Sequence, residues 1–430
     1  MNAAQYQQDL VDTLKQAGLL GSPAVEQAFL SVPRHLFLPG EPLERVYSDI
    51  AIVVRRDAGG QWTSSSSQPA IMAIMLEQLD LQPGQRVLEV GTGTGFNAAL
   101  MATIVGSEGL VVTLDIQPDL VEEACRNLEA AGCRQVRALV EDGGHGYPPE
   151  APYDRIILTA ASAVIVPAWR EQLLPGGRLV LPLEIAGGQH SVAFERRGLE
   201  LVSLSLKDCG FMWLQGAYTP PQLAQTPLGP DPRLCLFHAV EPGLPVSAGR
   251  FAEWLAGPAV DWPTGVVAAM PQLRSGLLTW LGLQAAQTAA PTDSVGASLN
   301  AQGDLADQAG LPALFGFGGE WKSRSAPLLI APHGAAALVR TPGQVVPLMD
   351  LNHPQDEEPF ELYVRQLGPA EQAARQLVSV IQEWERSGRP DAADWQVRAI
   401  PAELPYQLVA GEYLLDRPWT RLLVRYARRS

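Results

Sequence analysis

A short apolar run ends in alternate glycines at Val87-Leu88-Glu89-Val90-Gly91-Thr92-Gly93-Thr94-Gly95, and a helical pattern follows at once. Glycines at such a junction let the backbone turn tightly and come close to a ligand that a Cβ would strike. The turn by itself suits a nicotinamide, a flavin or S-adenosylmethionine. Its GxGxG spacing departs from the GxGxxG of dinucleotide sites. Three acids bear on the choice. Glu89 stands just before the turn, where a cationic ligand is served better than a pyrophosphate. Asp115 ends the next apolar run, placed to accept hydrogen bonds from ribose hydroxyls. Asp142 follows the third run, where it could accept from an adenine amino group while Gly143 leaves room for the ring. Any one of them could instead cap a helix or sit solvated. Three together, each after its own strand, favour the methyl donor.

A second cluster lies upstream, Ser64-Ser65-Ser66-Ser67-Gln68-Pro69, ahead of an apolar helix at residues 71–79. Ser67 fits the cap of a helix opened by proline. A hydroxyl at that place also lies where the positive end of the helix dipole favours an anion. Both readings stand. No acid–base pair or catalytic triad accompanies it.

These residues need strand ends to hold them. Strand patterns fall at residues 86–90, 110–115, 136–140, 155–159 and 178–182, with helices at 96–105, 118–131 and 167–174 between them. That alternation implies an α/β fold, a doubly wound, Rossmann-like parallel sheet whose ligand sits at the carboxyl ends of the strands. A hairpin at 191–196 and 199–206 extends the sheet, and an amphipathic helix covers residues 1–18. The chain turns rich in Pro, Gln and Gly at 219–232, which reads as a linker. The expected organisation is a methyltransferase domain over 1–218, that linker, and an α+β domain over 233–430. The latter carries helices at 251–255, 273–283 and 369–387 and strands at 336–340, 360–365, 395–400 and 422–426. In the 369–387 helix Ala370, Ala373, Ala374, Leu377, Val378, Ile381 and Trp384 form the apolar stripe. Residues 289–309, small and polar, read as a long loop.

At 430 residues, two domains are the natural expectation, and a formal net charge of −15 repels phosphate backbones at long range. A nucleic-acid substrate is therefore not expected. The N-terminal helix lacks the pattern of a secretion signal, and no apolar stretch is long enough to span a bilayer. The cysteines Cys125, Cys133, Cys209 and Cys235 form no CxxC pair, and the six histidines are dispersed. Free thiols in a cytoplasmic protein without a metal are expected. The sequence leaves oligomeric state open.

Residues from about 32 to 214 resemble the protein-L-isoaspartate (D-aspartate) O-methyltransferase family. The matching pieces are Val32-Pro33-Arg34-His35-Leu36-Phe37, Tyr47-Ser48-Asp49-Ile50-Ala51, Ser67-Gln68-Pro69 and Leu88 to Phe96. Glu141-Asp142-Gly143, Ala151-Pro152-Tyr153-Asp154, Ile157-Leu158-Thr159-Ala160-Ala161, residues 172–182 and residues 211–214 complete them. The resemblance implies S-adenosylmethionine as cofactor and an isoaspartyl or aspartyl carboxylate of a protein or peptide as substrate. It implies Ser67 as the active-site residue, with Ser66, Gln68, Pro69, Ala160 and Ala161 around the substrate. Around the donor it implies Glu89, Gly91, Thr92, Gly93, Gly95, Asp115, Ile116, Asp142, Gly143 and Thr159. The chain departs from the family in having Asp115 where Glu is usual, in Trp62 and the serine run, and in everything beyond about residue 218. That extension is similar to carboxyl methyltransferases that modify an aspartate of a ribosomally made peptide. Such a dedicated role is the alternative to repair of isoaspartate. A cofactor-binding protein without catalysis is the alternative of another class.

Overall fold

The computed structural model describes residues 1–57, 62–220, 224–238, 243–287, 295–302, 315–317, 323–340 and 358–427. The chain forms two compact units, one of Met1–Pro220 with Ala392–Ser430 and one of Pro221–Asp391.

The first unit is built on a ten-stranded sheet. A separate antiparallel hairpin, β1 (Ile52–Arg56) and β2 (Trp62–Ser66), precedes it. The strands β3 (Arg86–Val90), β4 (Leu110–Asp115), β5 (Val136–Val140), β6 (Tyr153–Leu158) and β7 (Leu173–Ile185) then lie in the order β7-β6-β3-β4-β5, all parallel. The first strand of this set has the second on one side and the fourth on the other. Helices must therefore leave on opposite faces, and a crevice opens at the tips of β3 and β6. Val87, Leu88, Val90, Val111, Val112 and Leu114 are buried, as expected of strands covered on both faces. The Phe96–Val105 helix is buried almost all round, with Phe96 edge-on to Phe29 from the N-terminal Pro23–Ser31 helix.

Beyond β7 the sheet continues antiparallel through β8 (Gly188–Arg197) and β9 (Glu200–Asp208), a longer hairpin than the sequence pattern indicated. Three more strands then join from the far end of the chain: β18 (Trp395–Pro401) on β9, β20 (Thr420–Tyr426) on β18, and β19 (Glu412–Arg417) outermost. This corrects the assignment of residues 395–400 and 422–426 to the C-terminal domain. The outer edge of β9 would otherwise present unpaired backbone groups. β18 covers it, Val397 N donating to Ser203 Oγ at 2.8 Å and Arg398 pairing with Glu200 at 2.9 Å.

Among the described residues the second unit holds an antiparallel sheet of eight strands. They are β10 (Ala224–Pro227), β11 (Leu234–His238), β12 (Ala259–Ala268), β13 (Val295–Gln302), β14 (Phe315–Phe317), β15 (Ser323–Ala331), β16 (Gly334–Arg340) and β17 (Phe360–Leu367). Two segments read as irregular are strands here. β10 falls in the expected linker, and β13 falls in the expected loop, paired to β11 and β15. The remainder of that loop lies outside the described residues. The Glu371–Arg386 helix buries Ala373, Ala374, Leu377, Ile381 and Trp384 of its predicted stripe, while Val378 is half-buried. Among the described residues no helix is long and apolar enough to cross a membrane, and no cluster of ligating side chains could hold a metal.

Candidate active site

The glycine turn after β3 is held from beneath. Gly91 N and Thr92 N donate to Leu114 O at 2.8 and 3.2 Å, and the Thr92 hydroxyl meets that of Thr113 at 2.8 Å. Thr159, just past β6, donates its hydroxyl to Gly91 O at 2.7 Å and its N–H to Val90 O at 2.9 Å. Gly91 has φ +103°, and a Cβ there would stand 2.3 Å from Thr159 Oγ1. Gly143 is excluded from bearing a Cβ by Val90, whose Cγ1 would lie 2.3 Å away. These are close approaches that only glycine permits. Gly95 serves packing instead, since a Cβ there would press on Leu128 and Ala124, where two helices meet.

Each acid proves different. Asp115 accepts from Gly93 N and Gln117 N, both at 3.1 Å, at the mouth of the crevice beside Ile116, which is 40% exposed. Burial raises its pKa, and those backbone donors oppose the rise. Asp142 accepts from Gly144 N at 2.9 Å and from Ala217 N at 2.7 Å. Glu89 turns inward instead. It is fully buried and accepts from Asn97 Nδ2 at 2.7 Å and Thr113 Oγ1 at 2.6 Å, so it ties β4 and the Phe96–Val105 helix together one layer below the turn. Asn97 and Thr113 carried no signal in the sequence beyond polarity within apolar runs.

Burial pushes the Glu89 carboxyl up to about 7, against its two hydrogen bonds, which favour the charged form. The folded chain thus holds this proton more tightly than the unfolded chain. No stability is lost on this account below about pH 4.5, the ordinary value; the penalty grows as pH rises to about 7 and is constant above. At about 1.4 kcal/mol per unit it reaches roughly 3 kcal/mol. Glu89→Gln should therefore gain about 2–3 kcal/mol on the wild type between pH 5 and pH 8 in urea unfolding. Parallel pH profiles for the two proteins would rule this out.

The serines lie across the turn. Ser65 O would stand 3.6 Å from a Cβ at Gly93, so β2 runs over the glycines. The hairpin is tied down by Arg55, which pairs with Asp119 at 3.1 Å and Glu123 at 2.6 Å, and by Gln117 Nε2 donating to Thr63 O at 3.3 Å. Ser67 does not cap the following Pro69–Leu79 helix, as the sequence allowed. Asp49 does so from a distant loop: its Oδ1 accepts from Ala70 N at 2.8 Å and its Oδ2 from Gln68 Nε2 at 2.9 Å. Gln68 and the buried Pro69 are thereby part of the helix start. Ser66 is buried too, its hydroxyl 3.4 Å from Arg34 Nη2. The same nitrogen donates to Ser67 O at 3.0 Å. Arg34 is buried, with Nε unpaired among the described residues, and desolvation lowers its pKa to about 10. Ser66, Gln68 and Pro69 are thus engaged in shaping the turn. Within that turn the Ser67 hydroxyl is left without a bond to any described residue. Ala160 is half-buried and Ala161 buried, and Ala161 is zipped to the 212–214 segment through Met212 O and Leu214 N, both at 2.8 Å.

The description protein-L-isoaspartate(D-aspartate) O-methyltransferase belongs to the family model that matches residues 4–217. A protein-L-isoaspartate O-methyltransferase of Methanopyrus kandleri is 45% identical over 175 residues, 40% of this chain and 75% of that protein. One from Hyperthermus butylicus is 40% identical over 218 residues, 49% of this chain and 88% of its own length. The chain belongs to the protein-L-isoaspartate (D-aspartate) O-methyltransferase family. A solved structure named protein-L-isoaspartate O-methyltransferase also aligns with 97% of this chain and 98% of its own, at 23% identity and a TM-score of 0.49.

Membership in the isoaspartate methyltransferase family makes this an S-adenosylmethionine-dependent O-methyltransferase. The crevice fits that donor. Backbone is bare at Gly91, Gly93 and Gly143, a carboxylate stands at each of two strand ends, and an apolar side chain lies exposed beside one of them. What the family pattern does not include is the Pro221–Asp391 unit and the three C-terminal strands.

Proposed function

We propose that the chain methylates isoaspartyl carboxylates of proteins or peptides, with Ser67 orienting the acceptor and Asp115, Ile116, Asp142 and the glycine turn holding the donor. The observation that carries this reading is the capping of the Pro69–Leu79 helix by Asp49, which leaves the Ser67 hydroxyl unspent beside the serine strand that crosses Gly93. Thr159 supports the donor side indirectly, by locking Gly91, and Glu89 by joining the elements beneath it.

When bound, the sulfonium donor supplies a methyl group that is already activated. An Asp-type carboxylate has an ordinary pKa near 4 and is ionised at neutral pH, so no side chain must remove a proton. The chain's work is to align the acceptor oxygen and strip water from it. Orientation alone contributes about 7–11 kcal/mol in well-aligned systems. Among the described residues no acid or base hydrogen-bonds the Ser67 hydroxyl, and the nearby Asp49 carboxylate is engaged by Gln68 Nε2 and Ala70 N, in agreement with this. The methyl ester that results is a better electrophile than the carboxylate. A neighbouring backbone nitrogen can displace methanol from it and close a succinimide, the route by which isoaspartate returns towards aspartate.

The same reading sets the reaction in a cytoplasm, without a metal or a nucleic acid, and the four free cysteines support a reducing setting. A second reading, modification of an aspartate in one dedicated peptide, is favoured by the Pro221–Asp391 unit, a sheet domain outside the matched residues. Methyl transfer from labelled donor to an isoaspartyl peptide, its aspartyl twin and a buffer blank tests both readings. Transfer to isoaspartyl peptides of unrelated sequence, with none to the twins, is expected. Transfer confined to an aspartyl peptide of one sequence supports the second reading. Donor binding with no transfer to either peptide would leave a binding protein.

A further inference from the structure

The two-residue turn between β19 and β20 is made of Pro418 and Trp419, with Arg417 paired to Thr420 across it. Proline fixes a negative φ at the first corner, and the second stands at φ +63°. That second corner takes glycine or asparagine by preference, since a bulky side chain there crowds its own backbone. A tryptophan in that conformation persists only where its surroundings over-determine it. Here they do. The Thr420 hydroxyl donates to Ile165 O, Arg417 pairs with Glu184, and Ala402 N donates to Trp419 O at 3.1 Å.

The strained residue aims its ring at one target. Trp419 meets Tyr218 edge to face, centroids 5.1 Å apart at 77°, and His145 meets the same tyrosine at 5.5 Å. Tyr218 lies so close over Gly144 that a Cβ there would stand 2.2 Å from its ring. One residue before Tyr218, Ala217 N donates to Asp142 Oδ2. One residue earlier still, Gly216, at φ +106°, lets the chain pass where a Cβ would come within 2.4 Å of that oxygen. The 216–218 segment is thus clamped between the Asp142 carboxylate and an aromatic ring delivered by the C-terminal strands.

We propose that Trp419 is a positioning residue for the methyl donor: through Tyr218 it holds the 216–218 segment on Asp142 and so sets the affinity of that corner of the site. The inference rests on the assignment of Asp142 to donor binding. It gives the C-terminal return of the chain, which lies outside the family's matched residues, a part in the methyltransferase site itself.

Trp419→Gly removes the ring and suits the backbone, so a structural role and a positioning role separate. Titration of the full chain with S-adenosylhomocysteine should show a Kd raised about 3- to 10-fold, the range an aromatic pair of this kind can supply. The melting temperature should not fall. Trp419→Phe should keep most of the affinity, and Tyr218→Ala, which leaves the turn intact, should lose it as Trp419→Gly does. An unchanged Kd in both Trp419→Gly and Tyr218→Ala, with Asp142→Ala clearly weakened, would overturn the proposal. Equal binding by wild type and Asp142→Ala would instead retract the donor assignment on which it stands.

Discussion

Ser67→Ala should lower kcat/KM for an isoaspartyl peptide by about 10- to 100-fold while the Kd for the donor changes by less than about twofold. The first figure follows from a hydrogen bond to a charged group, worth about 1.5–3 kcal/mol. The second follows from the geometry. Ser67 makes no side-chain bond to the glycine turn, to Asp115 or to Asp142, and the helix it precedes is capped by Asp49. Removing the hydroxyl therefore leaves both the helix start and the donor cradle in place. The bond weakens as the acceptor oxygen loses charge on forming the ester, so its contribution lies in binding and alignment, and KM should carry much of the loss. Single-turnover kinetics beside a calorimetric donor titration separate the two effects. Parallel losses in both would make Ser67 a structural residue.

Gly91→Ala should weaken donor binding by about tenfold or more. A residue with a Cβ at φ +103° bears strain of about 1–3 kcal/mol, and the new methyl would stand 2.3 Å from Thr159 Oγ1. The hydroxyl cannot simply swing away, because it donates to Gly91 O at 2.7 Å and fastens the turn at the switch between β3 and β6. Gly91→Ala combined with Thr159→Ala relieves the collision and leaves the backbone strain, so the double variant should bind the donor better than Gly91→Ala alone. Donor Kd and melting temperature across the three variants check this. If Gly91→Ala bound donor as the wild type does, the close approach of backbone to ligand at this turn would be refuted.

The parallel strands, their helices and the glycine turn were legible in the chain because their signals are local. Alternation of short apolar runs with helical periods marks each element. A positive φ favours glycine at Gly91 and Gly93, and at Gly91 a Cβ would also collide with Thr159. The positions of Asp115 and Asp142 after their strands followed from the same count along the chain. The 371–386 helix was legible for a like reason, its buried face repeating every three or four residues.

Only the tertiary structure decided where side chains with a choice would turn. Glu89, one residue before the end of β3, and Asp115, the last residue of β4, are both acids near strand tips, yet Glu89 faces Thr113 and Asn97 in the interior while Asp115 faces the crevice. Glu89 lies level with Thr113 in the paired strands, two residues short of Asp115 on the same face. It therefore meets Asn97 of the following helix while Asp115 reaches the glycine turn. The cap of the Pro69–Leu79 helix comes from Asp49, 21 residues before Ala70, which no helix-start pattern around Ser67 could reveal. The strands β18 and β20 look alike to any sheet that offers a free edge. Their place beside β9 rests on partners such as Ser203 and Val397, 194 residues apart, and on which edge the folded core leaves open. Backbone pairing carries little side-chain code, so long-range strand order is settled by the whole fold and not by the segment.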